Sequence, residues 1–169
     1  VGFTSIAAAL PAALLVADLD RIVSRFDELA AELGVEKIKT VGDAYLAVAG
    51  VPEACPAHAD AAAELALQMC EAVHALTPDL NAGYELRIGL HSGPVLAGVI
   101  GRRKFSYDVW GDTVNIASRL QTQSAPGHIT LSEATRAALR GPYRTEPLGA
   151  VELRGRGEFA THRLHRAEL

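Results

Sequence analysis

The tightest constraint on the fold is a pair of short runs, residues 35–41 and 44–49, separated by nothing but Gly42-Asp43. Both are rich in branched residues, and a Gly-Asp pair between such runs signals a two-residue hairpin, because glycine takes the required positive φ at no steric cost. The two strands are therefore antiparallel neighbours, and helical patterns flank them. From residue 10 to 33 the apolar positions Leu15, Leu19, Ile22, Val23, Phe26, Leu29, Ala30 and Leu33 recur at steps of three and four, one buried stripe on a helix. Gly34 stands where a left-handed cap would end it. A second helix fits 57–76, with Ala62, Leu65, Met69, Val73 and Leu76 inward and Thr77-Pro78 closing it.

Residues 84–91 read as a strand stopped by Ser92-Gly93-Pro94, and 95–100 and 104–109 as two extended pieces around Gly101. Helices are expected over 112–123 and 132–140, and short strands over 128–131, 143–148, 151–153 and 159–164. Helices interleaved with hairpins predict an α/β chain of the α+β sandwich kind, with helices packed on a largely antiparallel sheet. The 169 residues are enough for one sizeable core, burying about 69 % of the extended chain's surface, but not for two ordinary domains. Without a repeat, charge block or low-complexity tract to mark a boundary, 1–169 is read as a single domain.

Several function classes drop out. A net charge of -4 argues against general affinity for DNA or anionic membrane, so a polyanionic partner must be held by a local cluster of bases. The longest apolar run, residues 6–17, contains Pro11, stops at Asp18 and is too short to span a bilayer. Nothing basic precedes it, unlike a signal peptide. Cys55 and Cys70 have no close-spaced partner, which argues against a zinc cage or a disulfide framework and fits buried or inert thiols in a reducing cytosol. The six histidines show no metal-ligand spacing and are read as structural. Neither usual phosphate loop, Gly-x-Gly-x-x-Gly after a strand or Gly-x4-Gly-Lys-Ser/Thr, is present. The first residue is Val1 rather than Met, and the expectation is a piece of a longer protein.

Chemistry concentrates in three places. The chain uses arginine thirteen times and lysine three times, yet Lys37 and Lys39 share one hairpin strand. Lysine is a compact point charge with rotatable donors, suited to one acceptor such as a ring nitrogen; the competing reading is a solvated edge strand charged against aggregation. Asp43 at the tip is ordinary turn chemistry or a ligand for a hard cation such as Mg²⁺. The second place is 105–119, where Asp108 ends a strand, Gly111 permits a sharp turn and Asp112 or Thr113 caps the next helix. Asn115 and Arg119, four apart, share a helical face and could hold a sugar oxygen and a phosphate, or form a polar surface stripe. The third is Arg154-Gly155-Arg156-Gly157, whose glycines let backbone approach an anion; Arg102-Arg103-Lys104 adds a basic turn, and either could be a solvated charge run.

Together these segments resemble the class III nucleotidyl cyclase catalytic domain. Val1-Gly2-Phe3-Thr4 is similar to the tail of its opening motif and Lys39-Thr40-Val41-Gly42-Asp43 to its second. Residues 107–119, Tyr107-Asp108-Val109-Trp110-Gly111-Asp112-Thr113-Val114-Asn115-Ile116-Ala117-Ser118-Arg119, resemble its long signature, and 151–157 its C-terminal Lys/Arg-Gly segment. The likeness covers essentially the whole chain in the family's order. It implies a ferredoxin-like palm fold, ATP or GTP as substrate, and a homodimer whose sites lie at the interface, each with two divalent ions, Mg²⁺ or Mn²⁺. Carried onto this chain, Asp43 is a metal ligand, Lys39 and Asp108 read the base, and Asn115 orients the ribose. Arg119 stabilises charge at the α-phosphate, Arg154 takes the terminal phosphates, and backbone amides near Gly2, Phe3 and Thr4 meet phosphate. The family's other metal aspartate would lie two residues before Val1. Arg102-Arg103-Lys104 falls where relatives have a dimerisation arm.

Lysine only donates and an ionised aspartate only accepts, which matches the N1 acceptor and 6-amino donor of adenine. In guanylate-specific relatives these two positions carry the reverse polarity. The expected activity is thus adenylate cyclase, with guanylate cyclase or a degenerate nucleotide-binding or dimerisation module as the alternatives. A cytoplasmic location, no nucleic acid and no membrane contact by this domain complete the expectation, with regulatory segments left to other parts of a parent protein.

Overall fold

The computed structural model describes residues 2–101, 103, 105–153 and 157–167. The elements are α1 (Phe3–Ala9), α2 (Ala12–Glu32), β1 (Glu36–Val41), β2 (Ala44–Val48), α3 (His58–Leu76) with a 3-10 turn Thr77–Asp79, and β3 (Arg87–Leu90). After them come β4 (Leu96–Ile100), β5 (Ser106–Trp110), α4 (Asp112–Gln123), β6 (His128–Ser132), α5 (Glu133–Ala138), β7 (Tyr143–Leu153) and β8 (Gly157–Arg166). A four-stranded sheet runs β3-β6-β8-β7, parallel only between β3 and β6, and β1-β2 and β4-β5 form two antiparallel ribbons. The mixed α/β architecture with mainly antiparallel pairing is the one the sequence predicts.

Local signals explain most boundaries. Gly34 sits at φ 64 after α2, Val35 N–H reaches back to Ala30 O at 2.9 Å and Gly34 N–H to Ala31 O at 3.3 Å. This is a Schellman closure, and it drops Val35 into the core. The expected helix from residue 10 begins at Ala12, because Pro11 has no N–H to continue a helix and stands at the N-cap. The residues before it fold separately as α1, which the sequence reading did not anticipate. The two strands expected over 143–148 and 151–153 are one: Gly149, at φ 97, marks a register shift rather than an end. β7 is an edge strand, so the missing N–H of Pro147 costs no ladder bond on its open side. The strand expected over 84–91 is confined to Arg87–Leu90, since Tyr84 is drawn toward α2 instead.

Among the described residues, three apolar clusters form the core. Ile22, Phe26, Leu29 and Ala30 of α2 meet Leu65, Met69 and Val73 of α3 and Val35. Ala63, Ala66 and Leu67 on another face of α3 pack on Ile129, Leu131 and Leu164 of the large sheet. Ile116 and Leu120 of α4 pack with Val151 and Phe159. Full burial of one such leucine is worth about 1.5–3 kcal/mol, enough to seat the helix. Gly89 sets how deeply it sits: a Cβ there would come within 2.2 Å of Ala117 O and 2.3 Å of Gln121 N, so only glycine admits α4 this close to β3.

Candidate functional site

The β1-β2 hairpin turns at Gly42, φ 61, as its Gly-Asp signal requires. Its two lysines diverge. Lys39 Nζ donates to Asp108 Oδ2 at 2.6 Å, joining β1 to β5 across 69 residues of sequence. Lys37 Nζ donates to Asp27 Oδ2 of α2, also at 2.6 Å. Asp108 Oδ1 takes the Val109 N–H at 2.8 Å, and its side chain is only 12 % exposed. The Lys39 ammonium first, and the Val109 amide second, hold its carboxyl below the usual range. The pair therefore presents an ionised acceptor beside an ammonium, 42 % exposed, with further protons to donate.

Asp43 lies exposed at the hairpin tip and opens on the other side. It lines a cavity of about 300 Å³ with Phe3, Asp20, Thr40, Tyr45 and Tyr84, among other residues, to which neither Lys39 nor Asp108 belongs. The start of α1 borders the same cavity. Gly2, at φ 69, accepts Ser5 N–H and Ile6 N–H at 2.9 and 3.0 Å, and the Phe3 and Thr4 amides belong to the first turn, whose N–H groups have no intrahelical acceptor. The structure thus brings Asp43 and the 2–4 segment together on one side of the hairpin, and Lys39 and Asp108 on the other.

Asn115 and Arg119 are exposed one turn apart on α4, between the buried Ile116 and Leu120, as their spacing predicts. The helix N-cap differs from the expectation. Gly111, at φ 129, is the cap, and Asp112 stands in the first turn rather than at the cap position. Thr113 does not cap either; its Oγ1 donates to Pro94 O at 2.7 Å and pins the start of α4 to the 92–95 loop. Backbone strain at this sharp strand-to-helix turn requires glycine, which leaves no side chain to cap. Arg154 lies outside the described residues, as do Arg102 and Lys104 of the basic turn.

Two carboxylates escaped the sequence reading. Asp18 is fully buried on α2 and accepts from Asn81 N, Asn81 Nδ2 and Tyr84 OH at 2.9, 2.7 and 2.9 Å. Burial alone would raise its pKa, but these three bonds outweigh it and the net shift is downward. Burial and Asp18 in turn push the Tyr84 hydroxyl up to about 12. A charge on the buried stripe, between Leu15 and Leu19, was the signal. Asp27 was the other, and it had no local signal at all. The two thiols are half-buried, and burial, with Glu71 nearby, raises that of Cys70 to about 11, which keeps it unreactive. Among the described residues no group of three or more His, Cys, Asp or Glu could hold a metal ion, and no helix is long and apolar enough to cross a membrane.

The β4-β5 ribbon presents apolar side chains to solvent: Leu96, Val99, Ile100 and, just before β5, Phe105 are 70, 61, 55 and 78 % exposed.

The family model for the adenylate and guanylate cyclase catalytic domain matches residues 1–166. An adenylate cyclase of Mycobacterium bovis is 42 % identical over 161 residues, which are 95 % of this chain and 36 % of that protein. The guanylate cyclase soluble subunit beta-2 of Rattus norvegicus is 37 % identical over 164 residues, 96 % of this chain and 24 % of that subunit. The crystal structure of the guanylate cyclase domain of RhGC from Catenaria anguillulae in complex with GTP matches with a TM-score of 0.91 at 37 % identity, covering 98 % of this chain and 91 % of that one. The chain therefore spans about a third or less of these two curated relatives, which carry either purine specificity in their names.

Proposed function

We propose that this chain, which belongs to the family of adenylate and guanylate cyclase catalytic domains, converts ATP to 3′,5′-cyclic AMP and pyrophosphate at sites shared between two copies. The observation that carries the purine assignment is the Lys39–Asp108 pair at 2.6 Å. An ammonium and a carboxylate side by side offer a donor to adenine N1 and an acceptor to its 6-amino group, whereas guanine meets both with the wrong polarity. A mismatched buried donor costs about 1–3 kcal/mol, so a preference of roughly ten- to a hundredfold follows.

The reaction is an in-line displacement. The ribose 3′-oxygen forms a bond to the α-phosphorus, the bond to the β-phosphate bridging oxygen breaks, pyrophosphate leaves with that electron pair, and the hydroxyl proton passes to solvent. Asn115 would hold the ribose in the attacking pose, and the planar fork of Arg119 would bind developing charge on the α-phosphate. Arg154 would take the terminal phosphates, with the amides of Gly2, Phe3 and Thr4 at the other end of the triphosphate. Asp43 fits a hard cation: an exposed carboxylate on a turn, beside free first-turn amides, is the one- or two-carboxylate arrangement in which Mg²⁺ or Mn²⁺ takes its remaining ligands from phosphate. Two such ions per site, when bound, neutralise the attacking and leaving oxygens.

Sharing between copies is supported by the hairpin itself. Asp43 opens to the cavity on one side and Lys39 to Asp108 on the other, so one nucleotide meets both sets only if a second copy supplies one of them. The exposed apolar β4-β5 ribbon suits such an interface. The deciding experiment is purified protein with ATP or GTP and either metal, following cyclic product and pyrophosphate. Cyclic AMP should form from ATP at least tenfold faster than cyclic GMP from GTP; equal or reversed rates overturn the purine assignment.

A further inference from the structure

Side chains two apart on a regular strand share a face, yet Lys37 and Lys39 do not. Lys37 stands opposite Ala47 and Lys39 opposite Leu46, so two steps along β1 answer one step along β2, and Ile38 is the extra residue of a bulge. Tyr45 and Ala47 pack against the α2–α3 cluster, which places Lys37 on that face. Lys39, paired with Leu46, lies on the opposite face, with Asp108.

The α2 side holds Lys37 tightly. Asp27 accepts Lys37 Nζ through Oδ2 at 2.6 Å and Tyr45 OH through Oδ1 at 2.8 Å. Lys37 Nζ also lies 5.3 Å from the Tyr45 ring centre, and that ring meets Phe26 edge-on at 5.5 Å. Nothing in residues 36–39 themselves demands a bulge: there is no glycine, and Ile38 is a residue at home in a regular strand. A slip of one residue in this half of β1 would set Ile38 opposite Ala47 and close the bulge. It would also carry Lys37 to the face of Lys39 and put two ammoniums beside Asp108.

We propose that Asp27 is a register lock: by holding Lys37 against α2 it keeps the bulge at Ile38 open and leaves Lys39 as the one ammonium of the hairpin on the purine-reading face, which sets selectivity between purines. Asp27 touches no substrate; it is a positioning residue. The direction of the selectivity effect rests on the adenylate reading above. With Lys37 released, a second donor competes for Asp108, the acceptor for the adenine amino group is lost to it, and the surplus ammonium can satisfy the guanine carbonyl.

Three variants separate this lock from plain damage: Asp27→Asn, Lys37→Met and the two combined. The readouts are kcat/KM for ATP and GTP on the dimer and hydrogen exchange of amides 36–41. Asp27→Asn keeps the shape and a partner for Tyr45 but frees Lys37, and the ATP-to-GTP ratio should fall about tenfold. Lys37→Met and the double variant carry no second ammonium and should stay within about twofold of wild type. Exchange at 36–39 should quicken in all three, since each removes the lock. An unchanged ratio in Asp27→Asn, or an equal fall in Lys37→Met, overturns the selectivity role. Unchanged exchange in Asp27→Asn overturns the lock itself. A wild type that prefers GTP sinks the adenylate reading but leaves the exchange test intact, so the two failures are told apart.

Discussion

The two ribbons of this chain are alike in topology and opposite in environment. Away from its tip, where Val41 is 64 % exposed, β1-β2 is satisfied within the chain: Tyr45 and Ala47 join the α2–α3 cluster, Lys37 is tied to Asp27, and Phe26 meets the Tyr45 ring. β4-β5 instead leaves Leu96, Val99 and Ile100 more than half exposed. Lys39 and Asp108 are the bond between the two ribbons, one partner from each. A ribbon whose apolar face is packed mainly within its own chain sets geometry; one whose apolar face is open along its length needs a partner surface, and in the present reading that partner is a second copy. The shared-site proposal divides along the same line, since the cavity carrying Asp43 and the face carrying Lys39 lie on opposite sides of β1-β2.

Sharing of sites between copies has the strongest consequence for activity. Asp43→Ala and Asn115→Ala should each lose at least a hundredfold in kcat, one by removing a metal carboxylate and the other a ribose contact. Asn115, on the helix that directly follows the strand of Asp108, goes with the Lys39–Asp108 set; mixed in equal amounts and allowed to exchange, half the dimers are then mixed and each has one intact site of two, so about a quarter of wild-type activity should return. A mixture as inactive as its parents means that each copy owns a complete site. Substitutions in the ribbons sharpen the contrast. Val99→Asp should leave the melting temperature of the monomer within a degree or two, yet shift the sedimentation profile to monomer and cut specific activity in proportion. Tyr45→Ala should do the reverse, costing on the order of 2 kcal/mol of stability in urea unfolding while leaving association unchanged. If Val99→Asp remains dimeric, the open ribbon is not the contact.

What could be read in the sequence was local. The Gly42 turn, the Gly34 closure and the exposed Asn115 and Arg119 between buried Ile116 and Leu120 all follow from spacing and residue type over a few positions. Strand alternation, by contrast, would have placed Lys37 with Lys39, because the bulge between them is tied to Asp27 on another element. The chemistry of Asp112 allows capping, but the sharp turn at Gly111 takes the cap position for itself. β7 runs through Gly149 because its long pairing with β8 outlasts one glycine, which no property of 143–153 alone announces.

The smallest expected effect concerns the bond that joins the ribbons. The Asp108 carboxyl is held below its ordinary value, first by Lys39 and then by the Val109 amide. Because the folded value is the lower one, the unfolded chain takes up the proton first on acidification. The stabilisation is therefore fully present above the ordinary carboxylate range near pH 4, and is lost as the pH falls through the folded value. Lys39→Met removes the leading cause, so the urea midpoints of wild type and variant should differ by a small, constant amount from pH 7 down to about 5 and converge as pH drops below about 3. Salt should narrow the gap only slightly, since the Asp108 side of the pair is largely shielded from solvent. A gap that widens on acidification would mean that Lys39 stabilises the hairpin by packing its stem, and that the ribbons are joined by contact area rather than by charge.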